Sequence, residues 1–356
     1  MQKYTFNFVL AASCLLMLAM AQYGLIDNYI QAVFMFVGIN IIMSTSLNLV
    51  NGNMGEFSCG HAAFMCVGAY VSSVLSVLCF GKLLGGPLLP ASMAVFVFPL
   101  IIFIGGAVAA LAGIIVALPS FKTRGDYLAI ITIAVNYMII SAIENMPSIG
   151  GSRGFQGMKD TVWAMVDTFN GPWMLLWVIL FTVFTVWIIR RFISSTYGKG
   201  VNAICQDEIA AEIMSVNTDR MKLVTFMLSS GLAGIAGGLF AHIVGYVNPQ
   251  SFNILKSTEA MVMVYLGGMG SLSGAVLSAI LFTGLMEVLR SQSLIEFILS
   301  PVTFVFPDWE PSAGVIKWVL IPLILVLLMQ FRPEGIMGNK ELSDVFPKLK
   351  KYYSFK

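Results

Sequence analysis

The side chains able to do chemistry in this sequence are few, and most lie beside apolar runs. Four carboxylates, Glu56, Glu144, Glu259 and Glu287, fall inside or next to such runs. An ionisable group inside a membrane marks function by default. Glu144 and Glu287, however, lie near the ends of their runs, where solvation explains them. Asp126 follows Arg124 closely, a pair suited to fixing a turn. No succession of Asp, Glu or His has the spacing of a proton relay, which counts against ion-coupled transport. The histidines, His61 and His242, are too far apart to form a motif. The five cysteines, Cys14, Cys59, Cys66, Cys79 and Cys205, are odd in number and nowhere show metal-ligand spacing. All but Cys205 read as small buried hydrophobes.

Two glycine breaks carry more information. The first is Gly52-Asn53-Met54-Gly55, followed by Ser58, Gly60 and His61; the second is Gly267-Gly268-Met269-Gly270, followed by Ser271 and Gly274. Both interrupt apolar sequence with almost no polar loop. Broken helices at corresponding positions of two halves point to a transport site near the midplane. Half-helix N-termini there can hold a carboxylate without a positive side chain. The candidate path residues are therefore Gly52, Gly55, Ser58, His61, Gly267, Gly268 and Gly270, with a packing role favoured for His61. Two tight turns between spans are the competing reading. Further stripes of small residues, Gly105/Ala109/Gly113/Ala117 and Ser230/Gly234/Gly238, read as close helix contacts.

The segment 194–221 is long and polar, yet patterned as a helix. Cys205, Ile209, Ile213 and Val216 form one helical stripe. Asp207, Glu208, Ala210 and Ala211 fall on the other side, a compact surface that a partner protein could seat in a groove. An amphipathic helix lying on the bilayer is the alternative, but such helices are usually rich in Lys and Arg. This one is acidic, which favours a protein partner.

The elements that must position these residues are membrane helices. Hydrophobic residues make up 58% of the 356 and charged ones 11%, against roughly 25% charged in a soluble domain. Mean hydropathy is +0.87. A cytosolic enzyme and a disordered chain are excluded, and a net charge of +2 gives no field for nucleic acid. A span needs about 20 apolar residues. Ten candidates run near 5–22, 29–51, 57–80, 91–118, 127–146, 172–193, 222–247, 257–268, 271–290 and 314–331. They are apolar all round rather than alternating, so the expected fold is an all-α integral membrane protein with discontinuous helices, not a β-barrel. The polar stretches 148–161, 194–221, 291–313 and 332–356 are too short to bury a core. The chain thus reads as a single transmembrane domain over 1–356, with any ATPase on another chain. With ten spans, 14 of the 20 Lys and Arg fall on the side of both termini. The positive-inside rule then predicts N-in and C-in. Lys3, the apolar run after it and Ala19-Met20-Ala21 resemble a signal peptide; cleavage after Ala21 leaves the remaining topology unchanged.

Several strings in order resemble the permeases of branched-chain amino acid ABC transporters of the LivM type. They are NGNMGEFSCGHAAFMCVGAY at 51–70, RGDYLAIIT at 124–132, GGSRGFQG at 150–157, the loop 203–222, VYLGGMGSLSG at 264–274 and FRPEG at 331–335. The resemblance covers about residues 35 to 337. It implies a bacterial inner-membrane, multi-pass permease. It also implies a homologous second permease, two ATP-binding subunits and a periplasmic substrate-binding protein as partners. No cofactor is expected on this chain: ATP and Mg belong to the partner subunits, and the sequence has no Gly-x4-Gly-Lys-Ser/Thr loop. In the same resemblance 194–221 is the coupling loop, with Asp207, Glu208, Ala210, Ala211 and Ser215 as its contact residues. Ser215 stands where the family usually has glycine, which suggests a softer turn or a continued helix. The segment 291–313 is longer and more aromatic than the family pattern, with Phe304, Phe306 and Trp309 as interfacial anchors.

The substrate implied is a branched-chain or other apolar amino acid. Urea and short amides are the alternative within the same family. An ion-driven secondary transporter, a less favoured alternative, would need a coupling-ion site and no partner ATPase; a membrane enzyme would need a polar cluster near one interface, which the sequence does not offer.

Overall fold

The computed structural model describes residues 13–14, 16–81, 86–121, 127–168, 171–290 and scattered positions between 323 and 341. Helix α1 (Asn28–Asn48) runs into a π-helical turn, Leu49–Met54, which ends at Gly55 in the left-handed region. An extended stretch, 55–60, leads into α2 (His61–Phe80). There follow α3 (Ala94–Ser120), α4 (Tyr127–Glu144), α5 (Lys159–Thr168) and α6 (Trp173–Ser194). Two shorter helices, α7 (Thr196–Gln206) and α8 (Glu208–Ile213), precede α9 (Thr218–Val244). The last pair, α10 (Ile254–Gly267) and α11 (Leu272–Val288), flanks the second glycine break. One antiparallel ladder pairs β1 (Phe155–Gln156) with β2 (Tyr246–Val247).

The chain is an all-α membrane protein. Among the described residues six helices are long and apolar enough to cross a bilayer: the one that begins at Asn28, α2, the one that ends at Ser120, α4, α6 and α9. They match six of the ten predicted spans. The predicted spans 257–268 and 271–290 are the shorter α10 and α11. Half of 5–22, most of 314–331, and all of 291–313 with Phe304, Phe306 and Trp309, lie outside the described residues.

α9 forms the centre, packed on α3, α2 and α1. The small-residue stripes explain why so closely. A Cβ at Gly68 of α2 would collide with the backbone of Gly234, and one at Gly234 with the Ala109 methyl. Bare backbones thus touch where dispersion alone drives association. Hydroxyls add cross-helix bonds: Ser229 Oγ donates to Ser46 O at 2.6 Å, and Ser44 Oγ to Ala275 O at 3.1 Å. The outward side of α3, by contrast, exposes Phe96, Leu100, Phe103, Ile104, Leu111, Ile115 and Leu118.

The four acids singled out by sequence all have neighbours. Glu259 pairs with Lys256 at 2.8 Å, and Glu287 lies 4.0 Å from Arg290. Glu144 accepts from Gln250 Nε2, and Glu56 pairs with Lys222.

Candidate functional site: the junction of the two glycine breaks

The two breaks, far apart in sequence, meet. Asn48, at the end of α1 and buried, accepts through Oδ1 from Gly270 N at 3.0 Å and donates through Nδ2 to Ser271 O at 3.1 Å. One amide thus gives the Gly270 N–H its acceptor and adds a second donor to Ser271 O, which also accepts from Ala275 N. A Cβ at Gly52 would run into Asn48 Oδ1 and the Gly270 nitrogen, so this contact needs glycine.

The junction lies at the end of the bundle where α9 begins, not midway along it. Lys222, in the second turn of α9, holds Glu56, and Cys205 of α7 packs against Gly55. From this end the stretch 55–60 climbs back inward. Cys59 N donates to Thr132 Oγ1 at 3.2 Å, and Ala62 N to Ser257 Oγ at 2.9 Å. His61 Nε2 is 2.8 Å from Ser46 Oγ, at the level of Ser229. That level is about 16 Å along α9 at 1.5 Å per residue. Gly52, Gly55, Gly267, Gly268 and Gly270 are therefore gathered at one end, while Ser58 and His61 lie deeper. Ser58 donates its backbone N–H to Asn51 Oδ1 at 3.2 Å, and its hydroxyl is buried without a partner among the described residues. Asn136, one turn beyond Thr132 on the buried face of α4, is likewise unpartnered at both amide atoms.

The helix ends at the second break are not open. Ile336 N and Met337 N donate to Leu266 O and Gly267 O at 2.9 and 3.1 Å, covering carbonyls that the end of α10 exposes. Glu341 accepts from Leu272 N at 2.8 Å, Ser273 N at 3.1 Å and Ser273 Oγ. The N-terminus of α11, which sequence reasoning offered to a substrate carboxylate, carries the chain's own carboxylate, favoured there by the helix dipole.

The coupling-loop segment differs from a single continuous helix. Asp207 is extended (φ −159°) and its carboxylate accepts from Ala210 N at 3.0 Å. It caps a new helix, α8, and so resets the stripe drawn through Cys205. Ala211 faces inward at 4% exposed, whereas Ile209, Ile213 and Met214 are 65, 77 and 78% exposed. The outward surface is hence an apolar knob beside exposed Asp207, Glu208 and Glu212, with Ala210 also exposed, rather than the expected pair of alanines. Ser215 takes φ +65°, the one non-glycine residue in the left-handed region among those described. Val216 N bonds Ala211 O and Ser215 N bonds Glu212 O, at 3.1 and 2.9 Å. This is a Schellman exit, sharp despite the Cβ.

α7 and α8 abut the first break directly. Asn53 Nδ2 donates to Asn202 Oδ1 at 3.4 Å, and Cys205 Sγ lies 3.8 Å from Gly52 O. Burial pushes the Cys205 thiol above its ordinary pKa, and the Glu56 carboxylate adds to the shift, so the thiol is a neutral donor. A cavity of about 280 Å³ opens here, lined by Met54, Gly55, Glu56, Cys205, Glu208 and Lys222 among others. Sequence reasoning missed Asn48, Lys222 and Glu341. Asn48 had a signal, an amide near the end of an apolar run.

The family model described as branched-chain amino acid transport system / permease component matches residues 29–329. The Escherichia coli K12 permease LivM is 28% identical over 323 residues, covering 84% of this chain and 68% of that protein. A probable LivM of Methanocaldococcus jannaschii is 23% identical, covering 91% and 97%. The Escherichia coli K12 permease LivH is 24% identical, covering 87% and 96%. No solved structure matches the chain. A match spanning most of the chain, from α1 past α11, makes this protein a member of the branched-chain amino acid transport permease family.

Proposed function

We propose that this permease is one membrane subunit of an ATP-driven importer for branched-chain or other apolar amino acids. Its partners are a homologous second permease, two ATP-binding subunits that carry ATP and Mg, and a periplasmic binding protein that selects the substrate. The complex lies in the bacterial inner membrane, with 194–221 facing the ATPases. The relatives' names support the substrate class. The observation that carries the mechanism is the junction: both glycine breaks meet, through Asn48, at the end where α7 and α8 lie. Small backbone shifts at α7 and α8 thereby reach both breaks. Ser58, His61 and Asn136 lie further along the same route, and the unpartnered polar atoms of Ser58 and Asn136 suit a passing polar solute, since bare buried polar groups are rare otherwise. The knob of Ile209, Ile213 and Met214, rimmed by Asp207, Glu208 and Glu212, is the surface offered to the ATPase.

Reconstitution with the partner subunits tests this reading. ATP-dependent uptake of labelled leucine, with urea and acetamide failing to compete, is the expected result. Gly52→Val should abolish uptake while the subunits stay assembled. Ile213→Asp should strip the ATPase subunits from the purified complex. Uptake of urea in place of leucine, or full ATPase retention by Ile213→Asp, would refute the corresponding part.

A further inference from the structure

We propose that Lys222 is the positioning residue that links α8 mechanically to the first glycine break. The inference rests on the docking of α8 to an ATPase proposed above. Lys222 Nζ lies 2.7 Å from Glu56 Oε1 and 2.8 Å from Glu208 Oε1. Its side chain is 7% exposed, against 23% for Glu56 and 45% for Glu208. The Phe121 ring stands 5.9 Å away on another side. Each acid occupies a strategic place. Glu56 follows Gly55, and its N–H closes the π-helical turn on Val50 O at 3.2 Å. Glu208 is the first residue of α8.

Three observations favour a link over a passive anchor. The other polar contacts between α7 and the break are weak: 3.4 Å for Asn53 with Asn202, and 3.8 Å for a thiol on Gly52 O. The ammonium bridge is the strong contact between the two regions. One carboxylate would neutralise Lys222, yet two approach it, one from the first break and one from the first turn of α8, so a single ammonium joins two separate elements. The cavity of about 280 Å³ beside the triad leaves room for the side chains to shift. Displacement of α8 moves the Glu208 carboxylate, the shared ammonium follows, and Glu56 passes the motion to the left-handed turn at Gly55.

The test uses the whole complex in proteoliposomes, reading uptake per ATP hydrolysed. Glu56→Gln leaves the Lys222–Glu208 pair balanced, so folding and ATPase binding should persist. Uptake per ATP should fall about tenfold, the scale of a single coupling contact. Glu208→Gln should fall similarly. Because the link is in series, the double variant should lose no more than either single one. Unchanged uptake per ATP in Glu56→Gln overturns the proposal, and so do losses that multiply in the double variant, as two independent anchors would give. Failure of the docking reading appears elsewhere, in an Ile213→Asp complex that keeps its ATPase subunits.

Discussion

Ser215 shows how one residue can adopt a conformation its side chain disfavours. Left-handed backbone costs a non-glycine residue about 1–2 kcal/mol, but the two amide bonds of the Schellman exit hold it there. Glycine removes that strain and adds flexibility to the unfolded chain, which offsets part of the gain. Ser215→Gly is therefore expected to stabilise the α8 exit by about 0.5 kcal/mol, the balance of these two terms. Hydrogen exchange at the Val216 amide should slow about twofold accordingly; faster exchange would mean that Ser215 contributes a bond that outweighs the strain. The sequence pointed to this position through its departure from glycine. It suggested a softer turn because it could not show that Ala211 and Glu212 supply the carbonyls.

At the scale of elements, the breaks were legible and their meeting was not. Glycine pairs inside apolar runs announce interrupted helices, but the bond from Gly270 to Asn48 spans 222 residues of sequence. No local pattern encodes such a contact. The loop 194–221 was legible as helical, and its polarity pointed to a partner. Its outward face was misassigned because a stripe through Cys205, Ile209 and Ile213 assumes one helix. Asp207 starts a second, a cap signal that was readable in the sequence. The importance of Asn48 can be measured. Asn48→Ala leaves Gly270 N without its partner and takes one of two donors from Ser271 O, and is expected to destabilise the bundle by about 2 kcal/mol. Thermal unfolding in nanodiscs reads the loss directly. An unchanged midpoint would show that water or a shifted backbone replaces the amide.

For the whole molecule, the fold class followed from composition, since so few charges cannot cover a soluble surface. Six predicted spans match long helices. The end-to-end arrangement adds a constraint that charge counting lacked. Gly335, Gly338 and Glu341 of the tail pack on the second break, the second break touches Gly52, and Gly52 lies beside Cys205. Tail and coupling loop share one end of the bundle. With most Lys and Arg assigned to that side, the end is expected to be cytoplasmic. A cysteine placed at position 350 should be labelled by an impermeant maleimide in inverted vesicles alone. Labelling in right-side-out cells or spheroplasts would reverse the topology.

The cap on α11 also bears on how the protein is made. Glu341 is synthesised 69 residues after Leu272, whose amide it holds. The carbonyls of Leu266 and Gly267 likewise wait for Ile336 and Met337. Before the tail is made, the second break has only its local cap, Ser271 Oγ on Gly274 N, and its bonds to Asn48. The tail's bonds to α10 and α11 form only once Glu341 has been added. A ribosome that stops early thus releases a product in which the spans are present and the lock is missing. A chain ending before Ile336 is therefore expected to hold α10 and α11 less firmly together than the full chain does.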